Sequence, residues 1–137
     1  MEYARESNRV IVRLDPQDEV IKSIRSLRDE LQIDSGFMVG IGAVDRVTLG
    51  HYDVEDQSYS EETFTGQFEV TSFSGNIGPD KVHAHIELGK ESFDTLGGHC
   101  SEARVSGTFE IAVFTGETTL SHERDAETGL DVFTLNN

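Results

Sequence analysis

Arg9-Val-Ile-Val-Arg-Leu-Asp-Pro-Gln-Asp-Glu-Val-Ile-Lys-Ser-Ile-Arg-Ser-Leu-Arg-Asp-Glu-Leu-Gln32 contains the change of hydrophobic period that decides the fold. Over Arg9–Leu14 the apolar residues Val10, Val12 and Leu14 alternate with others, the period of a half-buried strand. Asp15-Pro16 then predicts a helix start, with Asp15 as N-cap and Pro16 at the first helical position. Asp18 and Glu19 put negative charge where the helix dipole favours it. Val20, Ile24, Leu27 and Leu31 recur at helical spacing, while Lys22, Arg25, Asp29 and Glu30 lie elsewhere around the axis. The spacing predicts one helix over 16–32, an amphipathic cover for a sheet.

Everything after Ser35 reads as β. Phe37–Tyr52 is rich in Val, Ile and Leu but broken by Gly40, Gly42 and Gly50, which mark bulges or close backbone approach. A polar loop is expected over Asp53–Glu62, then a strand over Gln67–Phe73, a turn near Gly75-Asn76 and another at Gly78-Pro79-Asp80. Lys81–Leu88 and Ser106–Phe114 alternate cleanly. Leu120–Arg124 and Leu130–Leu135 flank Asp125-Ala-Glu-Thr-Gly129 as a terminal hairpin. One main helix and about seven strands predict an α+β fold with a mainly antiparallel, twisted sheet, in a single domain over 1–137.

Charge narrows the function classes. Twenty-six acids against eleven bases give a net charge of −15, and only Lys22, Lys81 and Lys90 are lysines. Phosphate backbones are held by Lys and Arg displacing counterions, so this balance disfavours direct contact with DNA. Acids spread through helix and turns fit a halophilic, salt-screened cytoplasm. Mean hydropathy is −0.38, and no stretch approaches a membrane span. Met1–Arg9 lacks the basic start and apolar centre of a cleavable signal. The lone Cys100 excludes an internal disulfide and suits a reducing compartment, so a cytoplasmic location is expected.

The chemistry lies in Val82-His-Ala-His-Ile-Glu-Leu88. Strand alternation sends Val82, Ala84, Ile86 and Leu88 to the core and His83, His85 and Glu87 to the other face. Gly97-Gly-His99 follows, and two glycines let a return strand approach closely enough to bring His99 beside the pair. Three neutral imidazoles with an open fourth position make a reactive zinc site, though nickel and copper also suit imidazole and the same histidines also fit a solvated face. Water or a carboxylate would complete the set. Glu69, which faces away from Phe68 and Val70, is the first candidate for that carboxylate. Cys100 reads as a small buried side chain, and His51 and His122, with no partners at ligand spacing, read as surface residues. No nucleophilic triad, phosphate loop or dinucleotide fingerprint is present, and no catalytic residue can be named.

The ordered set of Gly40-Ile-Gly-Ala-Val-Asp-Arg-Val-Thr-Leu-Gly50, Phe68-Glu-Val-Thr-Ser-Phe-Ser-Gly-Asn-Ile77, His83-Ala-His85 and Gly97-Gly-His99 resembles the "plants and prokaryotes conserved" (PPC) domain, over about Arg9–Phe114. That family follows AT-hook segments in plants and stands alone in prokaryotes, where it carries a DNA-binding label. The resemblance implies a homotrimer and a DNA-associated or regulatory role. It also implies a zinc site on His83, His85 and His99. No AT-hook Arg-Gly-Arg-Pro occurs in this sequence. The histidine motifs are also similar to those of acetolactate decarboxylase, which implies the alternative of a zinc-dependent lyase or hydrolase acting on a small molecule.

Overall fold

Strand pairing, more than helix, organises the chain. The computed structural model describes residues 1–135. The elements run β1 (Glu2–Arg5), β2 (Arg9–Leu14), α1 (Val20–Leu31), β3 (Gly36–Asp53), β4 (Ser58–Ile77), β5 (Val82–Gly89), β6 (Thr95–Thr115), β7 (Ser121–Arg124) and β8 (Asp131–Thr134). Six strands form one antiparallel sheet in the order β1-β2-β6-β3-β4-β5, and β7–β8 form a separate hairpin. β5 also pairs with β6. The pairings β3–β4, β4–β5, β5–β6 and β6–β3 therefore close a ring, in which each of these four strands is paired on both sides over part of its length. No described helix is long and apolar enough to cross a membrane.

The ring is possible because β3, β4 and β6 are long and bent. The first half of β6 pairs with β5 and the end of β3, and its second half pairs with β2 and the start of β3. Register shifts at Gly40/Gly42 and Val44/Arg46 let β3 turn from one partner geometry to the other. A Cβ on Gly42 would lie 2.5 Å from the Thr108 carbonyl oxygen and 2.8 Å from the Phe109 Cα, so only glycine permits this approach. Inside, Phe73 and Phe109 meet edge-to-face at 5.2 Å among Val44, Val70, Ile86 and Leu88. Val20, Ile21, Ile24 and Leu27 of α1 complete the core against β6 and β5.

Several boundaries differ from the sequence expectations. α1 starts at Val20, not Pro16, and its N-cap is Glu19 rather than Asp15. The Glu19 carboxylate accepts from the amides of Ile21 (3.1 Å) and Lys22 (2.6 Å), and also from Ala103 on β6 (2.9 Å). The preceding residues bond to β6 instead of coiling: Gln17 donates to Val105, which donates to Asp18. The chain satisfies a sheet edge first and begins its helix only afterwards. The expected loop over Asp53–Glu62 is a hairpin turn, with the Asp53 carboxylate accepting from Glu55 and Asp56, followed directly by β4. No turn interrupts Gly75-Asn76; β4 runs to Ile77 and the chain reverses at Gly78–Lys81. The strands expected around His99 and over Ser106–Phe114 are one strand, β6. β1 adds an eighth strand. The terminal hairpin forms as expected.

Candidate metal centre

β5 alternates as its sequence dictates: Val82, Ala84, Ile86 and Leu88 are buried in the ring, and His83, His85 and Glu87 stand on the outer face. Antiparallel pairing with β6 sets His85 directly opposite His99. The close approach expected of Gly97-Gly98 is present, without a turn. A Cβ on Gly97 would lie 2.7 Å from the Ile86 carbonyl oxygen, and one on Gly98 2.9 Å from that of Gly50. The ring centroids of His83 lie 5.1 Å from His85 and 5.0 Å from His99, and one nitrogen of each of the three falls within 4.8 Å of the others.

Burial and mutual repulsion favour the neutral form of His83 and His99. The His83 imidazole is pushed down to about 4, first by burial and then by His99, His85 and Lys81. His99 is lowered as well, by burial first, while Glu61 opposes the shift. The sign follows directly. A histidine lowered in the folded state stays neutral while the unfolded chain takes up a proton below about 6.5. Stability of the metal-free protein should therefore fall as pH drops from about 6.5 towards 4, and His83→Ala should flatten that fall in urea titrations followed by circular dichroism. An unchanged pH slope in the variant would contradict the burial of this ring.

The residues fit a divalent ion. Bonds of about 2.0–2.1 Å to a tetrahedral ion put ligand nitrogens roughly 3.4 Å apart, so nitrogens that lie within 4.8 Å of one another need to close by no more than about 1.4 Å. The Asn76 side-chain oxygen is a buried polar atom without a partner, and Asn76 is the register partner of His83 on β4, on the same face. An imidazole that binds metal through one nitrogen donates its other N–H to such an acceptor.

Glu69 is not brought to the histidines. It pairs with Ala43 and Gly89, roughly 16 Å along β4 from Ser74, which faces His85. The carboxylate near the centre is Glu61, which accepts from the Tyr59 hydroxyl at 2.7 Å and from the Ser101 hydroxyl. Tyr59 lies edge-on to His99 at 6.2 Å. Ser101 could be read from the sequence, being two residues beyond His99 on a strand; Tyr59 and Glu61 could not, because a loop assigns no face. Cys100 is buried on the opposite side, its thiol pushed up to about 12 by burial, so it offers no thiolate. His51 is exposed, as expected. His122 is not a surface residue: its side chain is 5% exposed, bonded to Asp80 at 3.1 Å and packed at a tilt against Phe133.

A cleft of about 530 Å³ opens onto the three histidines. One wall is the β3–β4 hairpin and the other is the β7–β8 hairpin, joined by the Tyr52 hydroxyl donating to Thr128 (3.0 Å) and Gln57 Nε2 donating to Glu127 (3.2 Å).

The model of the Plants and Prokaryotes Conserved (PCC) domain, the family abbreviated PPC above, matches residues 1–117 and so takes in the whole histidine centre. The chain belongs to the PCC-domain family. Its fold is shared by crystal structures of two proteins each named a putative DNA-binding protein. The one from Bacteroides thetaiotaomicron has 27% identity and a TM-score of 0.92, and covers 98% of this chain and 96% of that one. The one from Ralstonia eutropha JMP134 has 27% identity and a TM-score of 0.90 with the same coverage. A metal-containing protein from Archaeoglobus fulgidus has 25% identity and a TM-score of 0.85, covering 98% of this chain and 99% of that one. No curated protein matches this PCC-domain chain.

Proposed function

We propose that this PCC-domain protein holds one divalent ion, zinc, on His83, His85 and His99. On this reading it serves DNA-associated regulation through a protein partner rather than by gripping DNA itself. The convergence of three imidazoles beside an unpartnered buried oxygen carries the metal assignment. A divalent ion so held supplies a Lewis acid with an open coordination position. The Archaeoglobus relative supports a metal, and the two relatives named for DNA support the regulatory role. The charge argues against direct contact: net −15, with seven of the eleven Lys and Arg side chains already paired to carboxylates.

Metal analysis tests this reading. One zinc per chain is expected in the protein and none in the His83→Ala, His85→Ala double variant, while the folded zinc form leaves duplex DNA unbound at low salt. Equal metal in both proteins, or none in either after zinc loading, would make the histidines structural. A second reading, a zinc-dependent lyase or hydrolase of a small molecule, is favoured by the cleft that opens onto the histidines.

Assembly belongs to the same reading. Phe37, Val39 and Ile41 of β3 are 52–59% exposed, and Phe114 and Ile11 extend the apolar face across β6 and β2. Contiguous apolar surface of this kind marks a partner face, and a homotrimer is proposed to cover it. Light scattering in molar salt should give about three times 15.2 kDa, falling to the monomer in Val39→Asp, Ile41→Asp. A monomeric parent protein would remove the assignment.

A further inference from the structure

The walls of the cleft over the histidines differ in kind from its floor, and that difference identifies a ligand. Val54, Leu130 and Val132 line it and remain 39–49% exposed although each is apolar. Leu130 and Val132 belong to the C-terminal hairpin, which lies beyond the residues matched by the family model. The hairpin is nonetheless built in. Besides the two bonds from Tyr52 and Gln57, Lys81 Nζ meets Asp131 at 3.0 Å and His122 meets Asp80 at 3.1 Å.

The electrostatics fix the head group. Lys81 and Asp131 are the basic and acidic side chains on the wall, and they neutralise each other. Glu61 is one hydrogen bond removed, behind the Tyr59 hydroxyl. Imidazole ligates an ion as a neutral donor and compensates none of its charge, so a divalent ion leaves the floor positive by one after Glu61 is counted. A cationic floor under apolar walls takes an anion with a short hydrocarbon part.

We propose that this cleft binds a small monocarboxylate, its head on the histidine floor and its chain against Leu130 and Val132, which set the chain length accepted. The proposal rests on the metal reading above. The zinc-loaded full chain is titrated calorimetrically with acetate, butyrate and hexanoate at constant ionic strength. Affinity should rise about fourfold for each methylene buried, the factor that follows from the transfer of a CH₂ out of water. The Leu130→Ser, Val132→Ser variant should lose that rise while still binding acetate as the parent does. Both side chains are solvent-exposed, so this variant keeps the core intact. Equal affinity for all three acids in the parent, or an unchanged rise in the variant, overturns the proposal. Metal analysis of the same samples separates the two possible failures. Zinc present without carboxylate binding overturns the cleft assignment alone; zinc absent overturns the metal reading and the cleft with it.

Discussion

Zinc at a thousandfold excess over its dissociation constant is expected to raise the unfolding midpoint of this protein by roughly 10–15 °C. A ligand that binds only the folded state at that excess stabilises by about 4 kcal/mol, and in a chain of this size each kcal/mol moves the midpoint by about 3–4 °C. The unfolded chain has no equivalent site, because His99 meets His83 and His85 only through the β5–β6 pairing. Calorimetry at fixed protein concentration in molar salt measures the shift. The His83→Ala, His85→Ala variant should show none, and a chelator should return the parent to its metal-free midpoint. The same shift in both proteins would assign the effect to some other site.

Phe109→Ala should cost about 3–5 kcal/mol, a large part of the roughly 5–15 kcal/mol that holds a domain of this kind folded. Phe109 is fully buried and sits edge-on to Phe73 with the ring planes at 88°. It also follows Thr108, against which β3 packs at Gly42, so a void there undercuts the bend that closes the ring. Urea denaturation of Phe109→Ala, Phe73→Ala and the double variant reads both the cost and the coupling. The coupling should be about 0.5–1.5 kcal/mol for an aromatic pair. A loss below about 1 kcal/mol for Phe109→Ala would show that the core does not depend on this pair.

The face assignments could be read from sequence because alternation is local. Val82, Ala84, Ile86 and Leu88 declare themselves inward, and His83 and His85 follow outward without any knowledge of neighbours. His99 was legible through its two glycines. The ends of elements were not. Asp15-Pro16 is a sound local start signal, but Gln17 and Asp18 are claimed by Val105, nearly ninety residues away in the chain, and Glu19 caps the helix instead. Ser58–Glu62 is exposed throughout and polar apart from Tyr59, which resembles a loop in composition although its backbone is paired to β3. That misreading hid Tyr59 and Glu61, and it left Glu69 as the nearest carboxylate to propose. Long-range register determined what local pattern could not.

The seam between β5 and β6 has a kinetic consequence. β5 is joined to β4 by a tight turn and β6 to β5 by another, so both hairpins form from neighbouring sequence. Joining β6 to β3 instead brings together residues some sixty positions apart and is the slow, entropy-limited step expected of non-local pairing. The histidine pair His85–His99 is thus in place before the ring is complete, while its shelter under Tyr59 arrives with β3 and β4. During refolding, a coloured ion such as cobalt should register first as a loose, solvent-open complex and then, on ring closure, as a tetrahedral one. The centre would then act as a clasp that is threaded early and fastened last.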